Sequence, residues 1–216
     1  GNEESGFTLI ETLVAILLFS VISVGFYQVM ISSVRGSETT RTVASISEEA
    51  RAGFNRMLRD AREADSLDAA SPTSFTIWVD YNANNTRDYS SYEYLRYTFS
   101  ETAGTITLAS LDGSSNVLSE AVLVSGIEKV DTTIDVFDYA SNRLEYDHNP
   151  ADGVTQWEEI DRPPTGVVGV GDRDDILDPA ELTYLSNIQI RFDVHIEDRE
   201  TEFYGEAQLR NRRFSV

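Results

Sequence analysis

The chain has 216 residues and a formal net charge of −20, from 37 Asp and Glu against 17 Lys and Arg. So acidic a protein repels nucleic acid and anionic lipid unless it hides a basic patch, and the nearest approach to one, Arg210, Arg212 and Arg213, reads as the polar face of an edge strand; no direct nucleic-acid binding is expected. There is no cysteine, which excludes disulfides and thiolate zinc, and with only His148 and His195 a histidine-based catalytic zinc site is not expected.

Residues 12–34 are 23 consecutive positions without a formal charge, mostly Leu, Val, Ile, Phe, Ala and small hydroxyls. As a helix they measure roughly 35 Å, enough to cross a hydrocarbon core of about 30 Å. A secretory signal fits poorly. It would show a basic start, a shorter apolar run and a small-residue cleavage site, whereas here Gly-Asn-Glu-Glu-Ser-Gly comes first and the helical pattern continues beyond the run. Glu11 stands inside the apolar stretch that starts at Phe7. A carboxylate there is costly unless it is paired or held at the interface, so it marks a functional position.

The run Gly6-Phe7-Thr8-Leu9-Ile10-Glu11-Thr12-Leu13-Val14-Ala15 resembles the class III signal of type IV pilins and type II secretion pseudopilins. The resemblance implies cleavage between Gly6 and Phe7 by a prepilin peptidase, and N-methylation of Phe7. It also implies a role for Glu11 in pairing with the N-terminal amine of a neighbouring subunit during assembly. That family has Met and basic residues before the glycine; Gly1, Glu3 and Glu4 stand here, so residues 1–6 read as a trimmed or altered leader remnant.

Beyond the apolar run, Val43, Ile46, Ala50, Phe54, Met57 or Leu58, Ala61 and Leu67 recur at three- and four-residue spacing among charged residues. This is the pattern of a helix with one face against a domain. Residues 7–34 therefore read as the transmembrane and assembly half of one long helix, and 35–70 as its amphipathic half, with Ser71-Pro72 as the stop. Gly36 and Gly53 read either as hinges or as simple losses of helix propensity.

After Pro72 the period shortens to two. Residues 75–79, 92–99, 105–108 and 116–124 read as strands, 130–139 as an extended element, and 141–180 as mainly surface loop with a short strand at 156–160. Ile188, Ile190, Phe192, Val194 and Ile196 alternate with polar residues, the clearest half-buried strand in the chain, and 203–214 is its expected antiparallel partner. The fold class is α+β: a long N-terminal helix packed on a β-rich head at 71–216, as in pilins. The pieces Tyr94-Leu95-Arg96-Tyr97, Gly126-Ile127 running to Phe137-Asp138-Tyr139, and Leu209-Arg210-Asn211-Arg212 resemble minor pilins and pseudopilins of the J and W type.

Asp80, Asn82, Asn84 and Asp88 follow the 1, 3, 5, 9 spacing of an oxygen-ligand calcium loop, but Asn85 and Ser91 replace the Gly and Glu such a loop carries at six and twelve. Two readings stand: a Ca²⁺ clip, with Glu93 as a further ligand, or a solvated turn. The groups Asp172, Asp174, Asp175 and Asp147, Asn149, Asp152 pose the same choice. No cofactor is required. No nucleophile with its base, and no phosphate-cradling loop, can be nominated, so the chain does not read as an enzyme.

The resemblance implies a subunit that enters the inner membrane with its head extracytoplasmic, meets the assembly platform there, and co-assembles with other pilins or pseudopilins. The product is a periplasmic pseudopilus or a surface pilus. The minor-subunit reading places it at the tip or in initiation. A major structural pilin and a tip adhesin, with the acidic loops of 141–180 as its binding surface, are the alternatives.

Overall fold

A computed structural model describes residues 8–89, 92–166, 168–196 and 199–209, apart from the side chains of 35–43, 196 and 199. The chain divides into two compact units, residues 1–45 and 46–216.

Helix α1 runs Leu9–Glu63. Within the second unit its buried residues are Ala50, Phe54, Met57, Leu58 and Ala61, the stripe expected from the three- and four-residue spacing. The side chain of Val43 lies outside the described residues. The helix ends earlier than expected. Residues Ser66–Ser71 form strand β1, in which Leu67 is a core residue opposite Ile77. Ala69 and Ala70 favour helix, but edge pairing with the next strand overrides that preference. Ser71-Pro72 is thus the turn of a hairpin rather than a helix stop.

The first sheet is a five-stranded antiparallel meander, β1 with β2 Ser74–Trp78, β3 Tyr94–Ser100, β4 Thr105–Leu111 and β5 Val117–Ser125 in sequence order. β3 alternates as its sequence demands: Leu95, Tyr97 and Phe99 are buried and their neighbours half-buried. The second sheet has the order β10-β9-β7-β8, from β7 Phe137–Ser141, β8 Thr155–Gln156, β9 Asn187–Ile196 and β10 Arg199–Gln208, with the two-residue β6 Ile127–Glu128 also on β9. β10 starts four residues before its expected position; residues 210–214, also expected in it, lie outside the described residues, as do the basic Arg210, Arg212 and Arg213.

Two expectations fail in the middle. Residues 130–136 are not extended, because Asp131 folds the backbone locally: its carboxylate accepts the Thr133 N–H at 2.9 Å and the Thr133 hydroxyl at 2.9 Å. Of the strand expected at 156–160, only Gln156 is in one, β8. Trp157–Asp161 is a helix, α2, started by a capping box between Gln156 and Glu159, and a second short helix, α3, Pro179–Leu182, starts with a capping box between Asp178 and Glu181.

Aromatic side chains join the layers. Phe75 of β2 stacks on Tyr97 at 4.8 Å and meets Phe137 of β7 edge-on at 5.0 Å, which couples the two sheets. Phe54 of α1 sits 5.8 Å from Phe192 and 5.6 Å from Phe203, covering β9 and β10. Each such buried side chain contributes about 1.5–3 kcal/mol. The Tyr139 hydroxyl, fully buried, donates toward the carbonyls of Ser71 at 2.8 Å and Ser74 at 3.0 Å, so the second sheet also holds the β1–β2 hairpin.

Asp60 is the one charged side chain of α1 buried to 0% exposure among the described residues. Its carboxylate accepts the Tyr97 hydroxyl at 2.6 Å and the guanidinium of Arg59 at 3.2 Å, with Arg56 at 3.5 Å. Gly53 of α1 lies against β5. A Cβ there would lie 2.4 Å from Val124 Cγ2 and 3.0 Å from the Leu123 carbonyl, so this glycine serves close packing rather than a hinge.

Candidate functional site

The N-terminal candidate begins at Thr8, the residue before the helix. Thr8 Oγ1 accepts the Glu11 N–H at 3.3 Å, and Glu11 Oε2 accepts the Thr8 N–H at 3.0 Å and its hydroxyl at 2.9 Å. This is a reciprocal capping box, the Thr-x-x-Glu signature of a helix start. Beside the pairing with a neighbouring amine that the family resemblance implies, Glu11 thus has a local role in starting the helix. Its bonds leave Glu11 Oε1 free, and among the described residues no cation pairs with it. Gly6 and Phe7, the expected cleavage and methylation positions, lie outside the described residues.

From Leu9 to Val34 the helix is long and apolar enough to cross a membrane: 26 residues, roughly 39 Å. None of the window is buried, so it is not the core helix of a folded domain. Phe19, Phe26 and Val29 are each more than 70% exposed. Such a surface is stable only in lipid or against other apolar helices. A Cβ on Gly25 would meet nothing within 4 Å, which leaves room there for a neighbouring helix.

The loop at 80–88 is a nest of Asx turns. Asp80 accepts the N–H of Asn84 at 3.1 Å and of Asn85 at 2.7 Å, Asn82 Oδ1 accepts Asn84 N–H at 3.0 Å, and Asn84 Oδ1 accepts Thr86 N–H at 2.7 Å. Asn85 takes φ 54°, the left-handed conformation that glycine supplies at position six of a calcium loop. Arg87 grips Asp68 of β1 through two bonds of 2.7 and 3.0 Å and lies 5.3 Å over the Trp78 ring. The Asp88 N–H points to Glu93 Oε2 at 3.3 Å, and Glu93 Oε1 is buried without a partner among the described residues.

A second acidic constellation joins segments the sequence reading kept apart. Asp161, at the end of α2, is fully buried, and its carboxylate accepts the N–H groups of Arg173 at 2.7 Å, Asp174 at 3.3 Å and Asp175 at 3.2 Å. Gly171 permits this embrace, since a Cβ there would lie 2.2 Å from the Ile160 and Asp161 carbonyl oxygens. Carboxylate oxygens of Asp161, Asp172 and Asp174 then lie within 4.8 Å of one another. Asp175, grouped with them by sequence, turns instead to Arg162. Glu181 of α3 is 1% exposed and uses Oε2 to accept the Asp178 N–H at 2.9 Å. Its carboxyl is pushed up to about 7 by burial and by the charges of Asp161, Asp178 and Asp172.

The remaining candidates make contacts within the head. Asp147 accepts the N–H groups of Asp152 at 3.1 Å and Gly153 at 2.9 Å, while Glu159 accepts those of His148 and Asn149, closing the 147–153 turn onto α2. His195 is exposed on the sheet, as its place in the alternation requires. Trp157 is 8% exposed and packs in the head.

Neither the curated proteins nor the solved structures hold a match to this chain. Residues 1–27 match the family described as the prokaryotic N-terminal methylation motif. Together with the exposed apolar helix that follows it, this match supports a place among the type IV pilins and pseudopilins, which are structural proteins that assemble with one another after processing by a prepilin peptidase.

Proposed function

We propose that the chain is a minor pilin or pseudopilin that co-assembles into a type IV pilus or a type II secretion pseudopilus, at the tip or in initiation. The observation that carries this reading is the junction of the methylation motif with an unburied apolar helix, Leu9–Val34. Prepilin peptidase cuts between Gly6 and Phe7 and leaves Phe7 methylated. The helix waits in the inner membrane with its head outside the cytoplasm, then leaves lipid for the filament core. That transfer is feasible because one apolar environment replaces another.

Glu11 acts in assembly. Its capping box with Thr8 leaves Oε1 for the amine of a neighbouring Phe7, and in a low-dielectric bundle that pairing favours one axial register over others. The J- and W-type pieces of the head support a minor rather than a major subunit.

Two measurements test the reading. Mass spectrometry of the chain expressed with a prepilin peptidase is expected to show a methylated N-terminal Phe7. Quantification in isolated filaments is expected to find far fewer copies than of the principal pilin; equal or greater abundance would make it the major subunit.

A further inference from the structure

The loop that follows β2 carries a pattern besides its carboxylates. Asn84-Asn85-Thr86 is an Asn-x-Thr triplet without proline in the middle, and no other asparagine of the chain has Ser or Thr two places on. Such a triplet is the acceptor signature for N-linked sugar, a bulky polar addition that only a surface tolerates. Triplets of this kind also arise by chance, so accessibility and local geometry decide whether one can be used.

Both favour its use. Residues 81–87 are all exposed and none belongs to a helix or strand, so the triplet is reached without unfolding the head. The Thr86 N–H donates to Asn84 Oδ1 at 2.7 Å, and the Thr86 hydroxyl leans back on the Asn84 carbonyl at 3.4 Å. This Asx turn brings together the two groups a transferase reads, the acceptor amide and the hydroxyl two places on. It holds Oδ1 and leaves Asn84 Nδ2, the atom that takes the sugar, without a hydrogen-bond partner among the described residues.

The turn is fixed from below. Asp80 accepts the N–H groups of Asn84 at 3.1 Å and Asn85 at 2.7 Å, and Asn85 completes the bend at φ 54°. Arg87, the next residue after the triplet, ties the loop to Asp68 of β1 at 2.7 and 3.0 Å. Ordering a flexible segment costs entropy at each residue, and here the fold has met that cost before a transferase binds. Both oxygens of Asp80 and the Oδ1 atoms of Asn82 and Asn84 already accept backbone N–H groups, so the atom left over on Asn84 is an N–H donor, suited to covalent attachment and not to a cation.

We propose that Asn84 is an N-glycosylation site, modified on the extracytoplasmic side of the membrane by an oligosaccharyltransferase that uses a sugar linked to a polyprenyl phosphate or diphosphate. Nδ2 loses one proton and bonds to C1 of the sugar as the C1–O bond to the lipid phosphate breaks. The phosphate leaves with the electron pair of that bond, and the proton released from Nδ2 balances its charge; no oxidant or reductant takes part. The inference rests on the reading of the head as extracytoplasmic, because a head kept in the cytoplasm never meets such an enzyme.

The test uses the full chain purified in detergent from the cells that naturally make it, cleaved at arginine and read by mass spectrometry with fragmentation that preserves side-chain modifications. Residues 63–87 form one peptide in that digest. Wild type is expected to carry the mass of a sugar on this peptide, located at Asn84, together with a methylated Phe7 in the same sample. Asn84→Gln and Thr86→Val are each expected to remove the sugar entirely, the second by deleting the hydroxyl while keeping the backbone N–H that closes the turn. Thr86→Ser is expected to retain it, and unchanged circular dichroism of these exposed-loop variants checks that each folds. A bare Asn84 in chains whose Phe7 is methylated overturns this inference and leaves the assembly reading standing; a bare Asn84 in chains uncut after Gly6 overturns both. A sugar that survives Asn84→Gln or Thr86→Val also overturns it.

Discussion

Replacing Asp60 by Ala removes the acceptor on which α1 and β3 meet. Tyr97 is fully buried, so its hydroxyl, now 2.6 Å from the carboxylate, would be left without a partner at a cost of about 1–3 kcal/mol, and the charge-assisted bond itself is lost. Arg56 and Arg59 are 45% and 60% exposed and can turn to water, so each contributes at most about 1 kcal/mol. Tyr81, which also bonds Asp60, is on the surface and recovers in the same way. Alanine returns about 0.5 kcal/mol in helix propensity. The expected loss is about 3–4 kcal/mol, a fall in Tm on the order of 10 °C for a unit of this size. Tyr97→Phe removes only the donor and is expected to cost about 1–1.5 kcal/mol. Urea melts of wild type, both single variants and the double variant form a thermodynamic cycle, whose coupling is expected to be at least about 1 kcal/mol. A coupling indistinguishable from zero, or a loss below about 1 kcal/mol for Asp60→Ala, would refute the view that this buried bond anchors the helix.

Gly53→Ala gains about 1 kcal/mol of helix propensity but drives a methyl group into Val124 and the Leu123 carbonyl. A net loss of about 1 kcal/mol in urea melts is expected, and a gain would show that the helix and β5 have slack. Glu181 sets a pH dependence: because its carboxyl is raised from 4.5 to about 7, the folded chain keeps a proton that the unfolded chain has released. Stability in chelator is therefore highest below about pH 4.5 and falls as pH rises to about 7, by at most about 3 kcal/mol from this group. Glu158, also raised to about 7, adds to the same slope, so Glu181→Gln should flatten it in part; an unchanged slope in melts between pH 5 and 7.5 would contradict the assignment.

The parts of the fold set by periodicity were legible. Ala50, Phe54, Met57 and Ala61 announced one helix face, and Ile188 to Val194 announced a buried strand, because each pattern reflects one continuous apolar surface. Where a single side chain bends the backbone, pattern reading failed. Asp131 broke an apparent strand, and the Gln156–Glu159 and Asp178–Glu181 boxes started helices in a segment that looked like loop. Those boxes could have been read from their spacing alone. Thr8 and Glu11 carry the same signature, and missing it hid a local role for Glu11 beside its proposed role between subunits. The Asp161 constellation was beyond local reading, since Asp161 joins Asp172 and Asp174 only through the path of the intervening loop.

The two roles of Glu11 can be separated by chemistry. Glutamine at the third helical position keeps the bonds of the capping box but carries no charge, whereas alanine loses both. Filaments should therefore be isolated from cells making wild type, Glu11→Gln or Glu11→Ala, with membrane insertion of each subunit checked in parallel. If the carboxylate pairs with a neighbouring amine, both variants insert normally and both are depleted from filaments, the glutamine variant as severely as the alanine one. Normal incorporation of Glu11→Gln would reduce Glu11 to a helix cap and contradict its proposed part in assembly.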